Sequence, residues 1–275
     1  MQLKPRFGPT TILRECPSGP RTPHGVLPSR TSGYGDAVPS DTAAPKERLW
    51  EGVLGSLLLE IASGRREEGS YVREADVAAH WRCSRGVGRE TLKAASERGV
   101  VRISKHRGAR VLSRDSWDLL DGQVQAALVR AGEGDALAVL VREYLWSTVA
   151  GAAGLIARRG VESDSVSGWL ALIGQLEDVL THGCRDTACA SDSRAIERRL
   201  RAGVIAASSN PLMTRTADVL EAALDVCGTS ATTLAATDRI RVMRRLIGAI
   251  GVGDSTAAMG AALDAAAPGR VAEPA

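Results

Sequence analysis

Arg85 and Arg89 lie four residues apart, and Lys93 follows one helical turn later. Residues at that spacing share one face of a helix, so the three cations form a single stripe. Ser84 precedes them, and its hydroxyl can accept from an orphan backbone N–H, which predicts a helix capped there and reaching about Arg98. Gly99 supplies the C-terminal stop. A guanidinium is a planar fork of donors that fits guanine O6 and N7, whereas the ammonium of Lys93 suits a phosphate. A second basic group, Lys105, His106 and Arg107 beside Gly108, makes a cationic turn suited to a phosphate backbone or a minor groove. Between Lys46 and Leu112 there are 14 Lys and Arg against 9 Asp and Glu. A merely solvated helix would carry such charges too, so the order of the surrounding elements has to decide.

Those elements run in a recognisable order. Val72, Val77 and Ala78 give an apolar side to a short helix from about Arg73 to His80, and Trp81-Arg82-Cys83 makes a turn. After the capped helix, Val100 to Ile103 alternates like a half-buried strand, and Arg110-Val111-Leu112 returns beside it. Helix, turn, helix and a hairpin with a basic tip make a winged helix-turn-helix, whose second helix presents its N-terminal end to base edges. The residues expected at double-stranded DNA are Arg73, Ser84, Arg85, Arg89, Lys93, Lys105, His106, Arg107 and Gly108. Upstream, Glu47 to Ser63 reads as an amphipathic helix with Leu49, Trp50, Val53, Leu54, Leu57, Leu58 and Ile61 on its apolar stripe, ended by Gly64. Trp50 is expected in the core.

These residues also carry a likeness. CSRGVGRETL, then ERGVV, then HRGARV resembles the N-terminal domain of GntR-type bacterial transcription regulators, at Ser84, Arg85, Arg89, Glu90, Leu92, Gly99, Val101, Arg107 and Gly108. Gly88 stands where that family prefers valine, Val87 where proline is common and Thr91 where alanine is usual. Ala75 replaces a family arginine that touches phosphate, so that contact is expected to be missing.

Composition sets the outer limits. At 275 residues the chain has room for two ordinary domains and a tail. Aromatics make up only 3%, against plentiful small aliphatics, which favours helices over a β-sandwich. A net charge of +3 is mild, so any nucleic-acid binding must come from local clustering. Five cysteines, at 16, 83, 184, 189 and 227, have no framework spacing and read as reduced thiols. The polar, proline-rich N-terminus fits no export signal, and no apolar run approaches the roughly 18 to 20 residues that span a bilayer. A cytoplasmic, nucleoid-associated protein with no membrane contact is expected.

Residues 1–45 hold eight of the eleven prolines and are expected to be a disordered tail, followed by a DNA-binding domain over 46–112. Residues 113–133 read as a linker in which Trp117 and Leu120 pack against one domain or the other. Trp117, Leu120, Asp121 and Val124 resemble the linker of the FadR branch of the GntR regulators. From 134 to 267 the pattern is helical almost throughout, with helices expected at Asp135–Arg159, Ser163–Thr181, Ser191–Ser208, Pro211–Val226, Thr237–Ile250 and Asp254–Ala266. Pro211 suits a first helical turn, and Asp254 suits a cap. Short loops make neighbouring helices antiparallel. The fold expected is mainly α: an N-terminal winged helix-turn-helix domain, an all-α antiparallel bundle that dimerises, and a frayed tail over 268–275.

AASSNPLM (206–213), with Asn210, and AIGVGD (249–254) resemble segments of the FadR-type C-terminal domain. That likeness implies a metal site of one aspartate and three histidines, and places them on Glu197, Arg201, Met243 and Ala265. Glu197 alone cannot hold a divalent ion, and Arg201 places a permanent positive charge where the ion would sit. No metal and no cofactor are expected. Two readings of Arg201 stand side by side: a fixed cation that accepts a ligand carboxylate, or an internal pair with Glu197. Arg142, on the inner stripe of the first bundle helix, is a further anion anchor, so Arg142, Glu197, Arg201, Asn210 and Met243 make the expected effector pocket. His182, Cys184 and Cys189 lack a fourth ligand and read as incidental loop residues. No nucleophile with a neighbouring base and no glycine-rich phosphate cradle after a strand is present, so no enzyme is expected. The function expected is a sequence-specific transcriptional regulator, of repressor type, working as a homodimer on a near-palindromic operator and sensing a small carboxylate. The alternative is a ligand-independent or partner-controlled regulator whose bundle only dimerises.

Overall fold

The computed structural model describes residues 46–181, 187–228 and 235–266, with the side chains of 46–48 and 187–190 left aside. The expected N-terminal tail, C-terminal tail and most of the His182–Cys189 loop therefore lie outside the described residues, as does the side chain of Cys189. Within them the chain is mainly α, with one small sheet.

Helix α1 (Lys46–Ala62) buries Val53, Leu54, Leu57, Leu58 and Ile61, the i, i+3/i+4 stripe its sequence carries. Leu49 departs from that expectation, being exposed, and Trp50 is half-buried against the core. Strand β1 (Tyr71–Val72), helix α2 (Glu74–His80) and helix α3 (Arg85–Glu97) follow, then strands β2 (Val101–Ser104) and β3 (Gly108–Val111). The sheet order is β1-β3-β2, antiparallel throughout. The sequence reading missed β1, since two residues carry no alternation of their own and are strand only through pairing with β3.

The segment expected as a linker is more structured than that. It holds a single 3-10 turn (Arg114–Ser116) and helix α4 (Gly122–Arg130), capped by Asp121, whose Oδ1 accepts from the backbone N–H of Gln123 and Val124 at 2.9 and 3.1 Å. Trp117 is half-buried as expected and donates from Nε1 to Leu112 O at 3.2 Å, whereas Leu120 is exposed. Helix α4 packs on α1 and also on the helices that follow.

These are α5 (Gly134–Arg159), α6 (Ser163–Thr181), α7 (Thr187–Ala207), α8 (Pro211–Cys227), α9 (Ala236–Gly251) and α10 (Ser255–Ala266). Helix α5 runs through the middle, packing on α7, α8, α9 and α10, with Val141, Leu145, Trp146, Val149 and Ile156 buried. Helix α7 begins four residues before its expected start at Ser191. Asn210 caps α8 through Oδ1, with Pro211 at its first position, and Asp254 Oδ1 caps α10 by accepting from Ala257 N at 2.9 Å. No described helix is long and apolar enough to cross a membrane.

Candidate nucleic-acid interface and interior charge cluster

Helix α3 is set by its cap and by the closeness of α2. Ser84 Oγ accepts from Val87 N at 3.3 Å, so this serine acts on the helix end it was expected to start. A Cβ on Gly88 would come 2.7 Å from Glu74 O and 3.4 Å from Val77 Cβ. The glycine that departs from the GntR pattern thus lets α2 and α3 approach more closely than valine would. Leu92 and Ala95 of α3 are buried on one side, which leaves Arg85, Arg89 and Lys93 exposed on the other. Arg89 has a loose contact to the neighbouring carboxylate, Nε to Glu90 Oε1 at 3.8 Å, and both side chains are exposed. Such a pair is worth little in water and leaves the guanidinium available.

The wing is built to bring its tip forward. Lys105, His106 and Arg107 are all exposed, and Arg107 N donates to Ser104 O at 3.2 Å to close the turn. His106 adopts the left-handed region at φ 66, as does Gly108 at φ 92. A Cβ on Gly108 would meet Val72 O at 2.6 Å and Arg73 Cγ at 3.1 Å. Glycine is therefore required there by contact as well as by conformation. The same contact places Arg73, the exposed N-cap of α2, against the base of the wing. Its backbone N–H donates to Asp76 Oδ2 at 3.1 Å.

The far end of α3 is docked onto the connecting segment. Gly99, at φ 67, leaves no space for a side chain, since a Cβ there would sit 1.9 Å from Ser116 O. Asp118 N donates to Arg98 O at 2.9 Å, and Arg98 Nε lies 3.0 Å from Asp121 Oδ1. Arg114 donates to Ala62 O at the end of α1, at 3.1 Å, and to Glu133 Oε1 at the start of α5, at 2.6 Å. One guanidinium thus joins the first described helix, α1, to the residue that precedes the long helix α5.

Among the helices, Arg142, Glu197 and Arg201 of the five expected pocket residues share one charge cluster, while Met243 and Asn210 are occupied elsewhere. Glu197 and Arg201, one turn apart on α7, are both 8% exposed. Their Nη1–Oε2 distance is 3.5 Å, and each has a second partner. Arg201 Nε donates to Glu221 Oε1 on α8 at 2.7 Å, while Arg239 Nη2 on α9 donates to Glu197 Oε1. Arg198 donates to Glu221 Oε2 at 3.2 Å and to Asp225 Oδ2 at 2.8 Å, and the Asp225 hydrogen bond is the main cause raising its pKa. Met243 is buried apolar core, and Asn210 is occupied with capping α8. Spacing alone had no means of finding Arg239, Glu221 or Arg198, because each reaches the cluster from another turn or another helix.

Arg142 completes the cluster from α5, one turn before Trp146, whose ring centroid lies 5.8 Å from the Arg201 guanidinium carbon. Burial lowers the Arg142 pKa, the Arg201 charge lowers it further, and Cys227 opposes both. Burial likewise lowers that of Arg239, whose Nε has no hydrogen-bond partner among the described residues. Arg198, Arg201 and Arg239 pair with Glu197, Glu221 and Asp225, and Arg142 adds a cation beside Arg201 that has no ion-pair partner among the described residues. An open groove between α6 and α7, lined by Trp169, Leu172, Arg199 and Gly203 among others, includes none of these residues.

No protein-family model and no curated protein matches the chain. Solved structures do. One is described as Streptococcus agalactiae GntR, at 18% identity over 79% of this chain and 96% of that one, with a TM-score of 0.41. A second carries the description that Lar controls expression of the Listeria monocytogenes agr system and mediates virulence, at 15% identity over 81% and 95%, with a TM-score of 0.47. A third is a GntR-family transcriptional regulator from Pseudomonas syringae pv. tomato, at 17% identity over 79% and 81%, with a TM-score of 0.38. The functional reading stands on the chain's own residues.

Proposed function

We propose that this chain is a sequence-specific DNA-binding transcription regulator of GntR type, FadR branch, and not an enzyme. The observation that carries the reading is the stripe Arg85, Arg89 and Lys93, exposed along a capped helix beside a wing whose tip is Lys105, His106 and Arg107. Arg85 and Arg89 read base edges in the major groove, Lys93 and the wing contact phosphate, and Arg73 supports the wing. The protein works in the cytoplasm, at the nucleoid, as a homodimer on a near-palindromic operator, and it represses. Dimerisation through the bundle is supported by apolar side chains on α5 left in solvent, Leu140 at 54% exposure and Tyr144 at 51%. Residues 46–112 form the DNA-binding domain, 113–133 the connection and 134–267 the dimerising, sensing domain.

The helical half senses a small carboxylate. Arg142 is the support for this, a half-buried cation beside Arg201 with no carboxylate of its own among the described residues. An anion there removes the repulsion between the two guanidiniums and shifts α5 against α7 and α8. Arg114, held by both α1 and Glu133, is the route by which such a shift reaches the DNA-binding half. A second reading, a regulator without a ligand, is favoured by Glu197 and Arg201, which already satisfy each other and their neighbours.

The test is recovery of genomic fragments by the purified full chain, followed by footprinting. The expected result is a recurrent near-palindrome with half-sites about one helical turn, 10 to 10.5 base pairs, apart. Fragments recovered without any common sequence would overturn the proposal.

A further inference from the structure

Arg102 on β2 and Arg110 on β3 stand directly opposite one another, and Tyr71 on β1 stands opposite Arg110 on its other side. Val101 and Val111 are buried, so the alternation of the strands sends Arg102 and Arg110 to the outer face, where all three residues of the row are exposed. Side chains paired this way begin about 5 Å apart, and like charges directly opposite destabilise a sheet. No carboxylate of the hairpin itself compensates them. From Arg98 to Arg114 the sequence has six Lys and Arg and no Asp or Glu. Neither Arg102 nor Arg110 has an ion-pair partner among the described residues. Gly69, at φ 82, lies beside the Arg110 guanidinium, a Cβ there falling 3.4 Å from Nη2 and 3.8 Å from Nε. A sheet face that served only as surface would gain stability from a carboxylate or a threonine in either place.

We propose that Arg102 and Arg110 clamp a single phosphate of the DNA backbone on the outer face of the wing, with the Tyr71 hydroxyl as a further donor. In this clamp both donor forks bind the same anion, and the repulsion that destabilises the free sheet is neutralised when the phosphate arrives. A DNA phosphate is the occupant because the same hairpin carries Lys105 and Arg107 at its tip, so the outer face continues the cationic strip that meets DNA. This contact is additional to the tip and to α3, and it rests on the DNA-binding reading.

The experiment measures the salt dependence of affinity for a labelled duplex of arbitrary sequence, because phosphate contacts are independent of sequence. The full chain is compared with Arg102→Gln, Arg110→Gln, the double variant and the Arg102→Lys, Arg110→Lys pair. Each single glutamine variant should leave the logarithmic salt slope nearly unchanged, because its partner still neutralises the shared phosphate, and the double should lower it by about 0.9. The lysine pair should restore the slope. Without DNA, the double variant should melt at or above the wild-type temperature, which also shows that it folds. An unchanged slope in the double variant, with a lowered slope in Arg107→Gln, would remove the outer face from the DNA and overturn the clamp. Twice the loss in the double would mean two separate contacts and likewise overturn it. Inorganic phosphate that raises the melting temperature of the wild type alone, with duplex slopes unchanged, would identify a free anion as the occupant instead. A wild type that binds no duplex fails the DNA-binding reading itself, and does so before any variant is measured.

Discussion

Glu221 Oε1 accepts from Arg201 Nε at 2.7 Å, and its second oxygen accepts from Arg198 Nε at 3.2 Å, so one carboxylate of α8 fastens two successive turns of α7. The Arg201 side chain is only 10% exposed, and an unpaired guanidinium at that depth is expensive. Glu221→Ala leaves Arg201 only its 3.5 Å contact to Glu197 and is expected to destabilise the chain by about 1.5 to 3 kcal/mol in chemical denaturation. Replacing Glu221 and Arg201 together by leucine removes both charges and should recover most of that loss. A double variant no more stable than Glu221→Ala would show that the pair fastens the helices by shape and not by charge.

Arg142 behaves in the opposite sense. It is half-buried, lies beside the Arg201 charge and, among the described residues, has no carboxylate to offset the cost of burial. Arg142→Met keeps most of the side chain's volume and removes the charge, so the ligand-free variant is expected to melt at a higher temperature than the wild type. The same change should abolish any stabilisation by small organic acids in a thermal-shift series. Equal melting temperatures, with organic acids inert on both proteins, would favour the regulator without a ligand.

How much of this was legible in the sequence depends on how local each cause is. The faces of α3 follow from Ser84, Gly99 and a 3.6-residue repeat, so the exposed stripe of Arg85, Arg89 and Lys93 could be read directly. Helix α4 is hidden although its signal is present: Asp121 is a good cap, but the segment between the wing and the long helices has the sequence of a connection. Strand β1 had no local signal, because Tyr71 and Val72 become strand only through Arg110 and Ala109. The charge cluster was half visible. Glu197 and Arg201 are one turn apart, whereas Arg239 lies 42 residues from Glu197 and meets it only after α9 has packed.

Gly99 offers a test of the connection between the two halves. Its left-handed φ and the 1.9 Å approach of a built Cβ to Ser116 O mean that Gly99→Ala meets both strain and collision. Strain alone costs about 1 to 3 kcal/mol, and the clash forces the segment around Ser116 away from α3. The expected outcome is a lower melting temperature together with proteolytic sensitivity near Ser116. Gly122→Ala, where nothing lies within reach of a Cβ, should be well tolerated and serves as the control.

The apolar face of α5 sets the expected oligomeric state. Leu140 and Tyr144 are four residues apart on one side of the helix, and both are more than half exposed. Leu140→Glu combined with Tyr144→Glu should convert a dimer to a monomer in light scattering, with helix content by circular dichroism unchanged. A variant that remains dimeric would place the interface on another face.

On the proposed function Arg85 and Arg89 are the base-reading residues, and their loss should look different from the loss of a phosphate contact. A guanidinium that bridges guanine O6 and N7 is worth about 1 to 3 kcal/mol of discrimination against other bases. Arg85→Ala or Arg89→Ala is therefore expected to weaken the operator by about that amount while changing affinity for random duplex much less. Both arginines are exposed and make no buried contact, so the folded half should keep its melting temperature. Lys105→Gln, by contrast, should weaken operator and random duplex alike and lower the salt slope by about one unit. Equal losses on both DNAs for Arg85→Ala and Arg89→Ala would make them phosphate contacts too and leave the base reading without its residues.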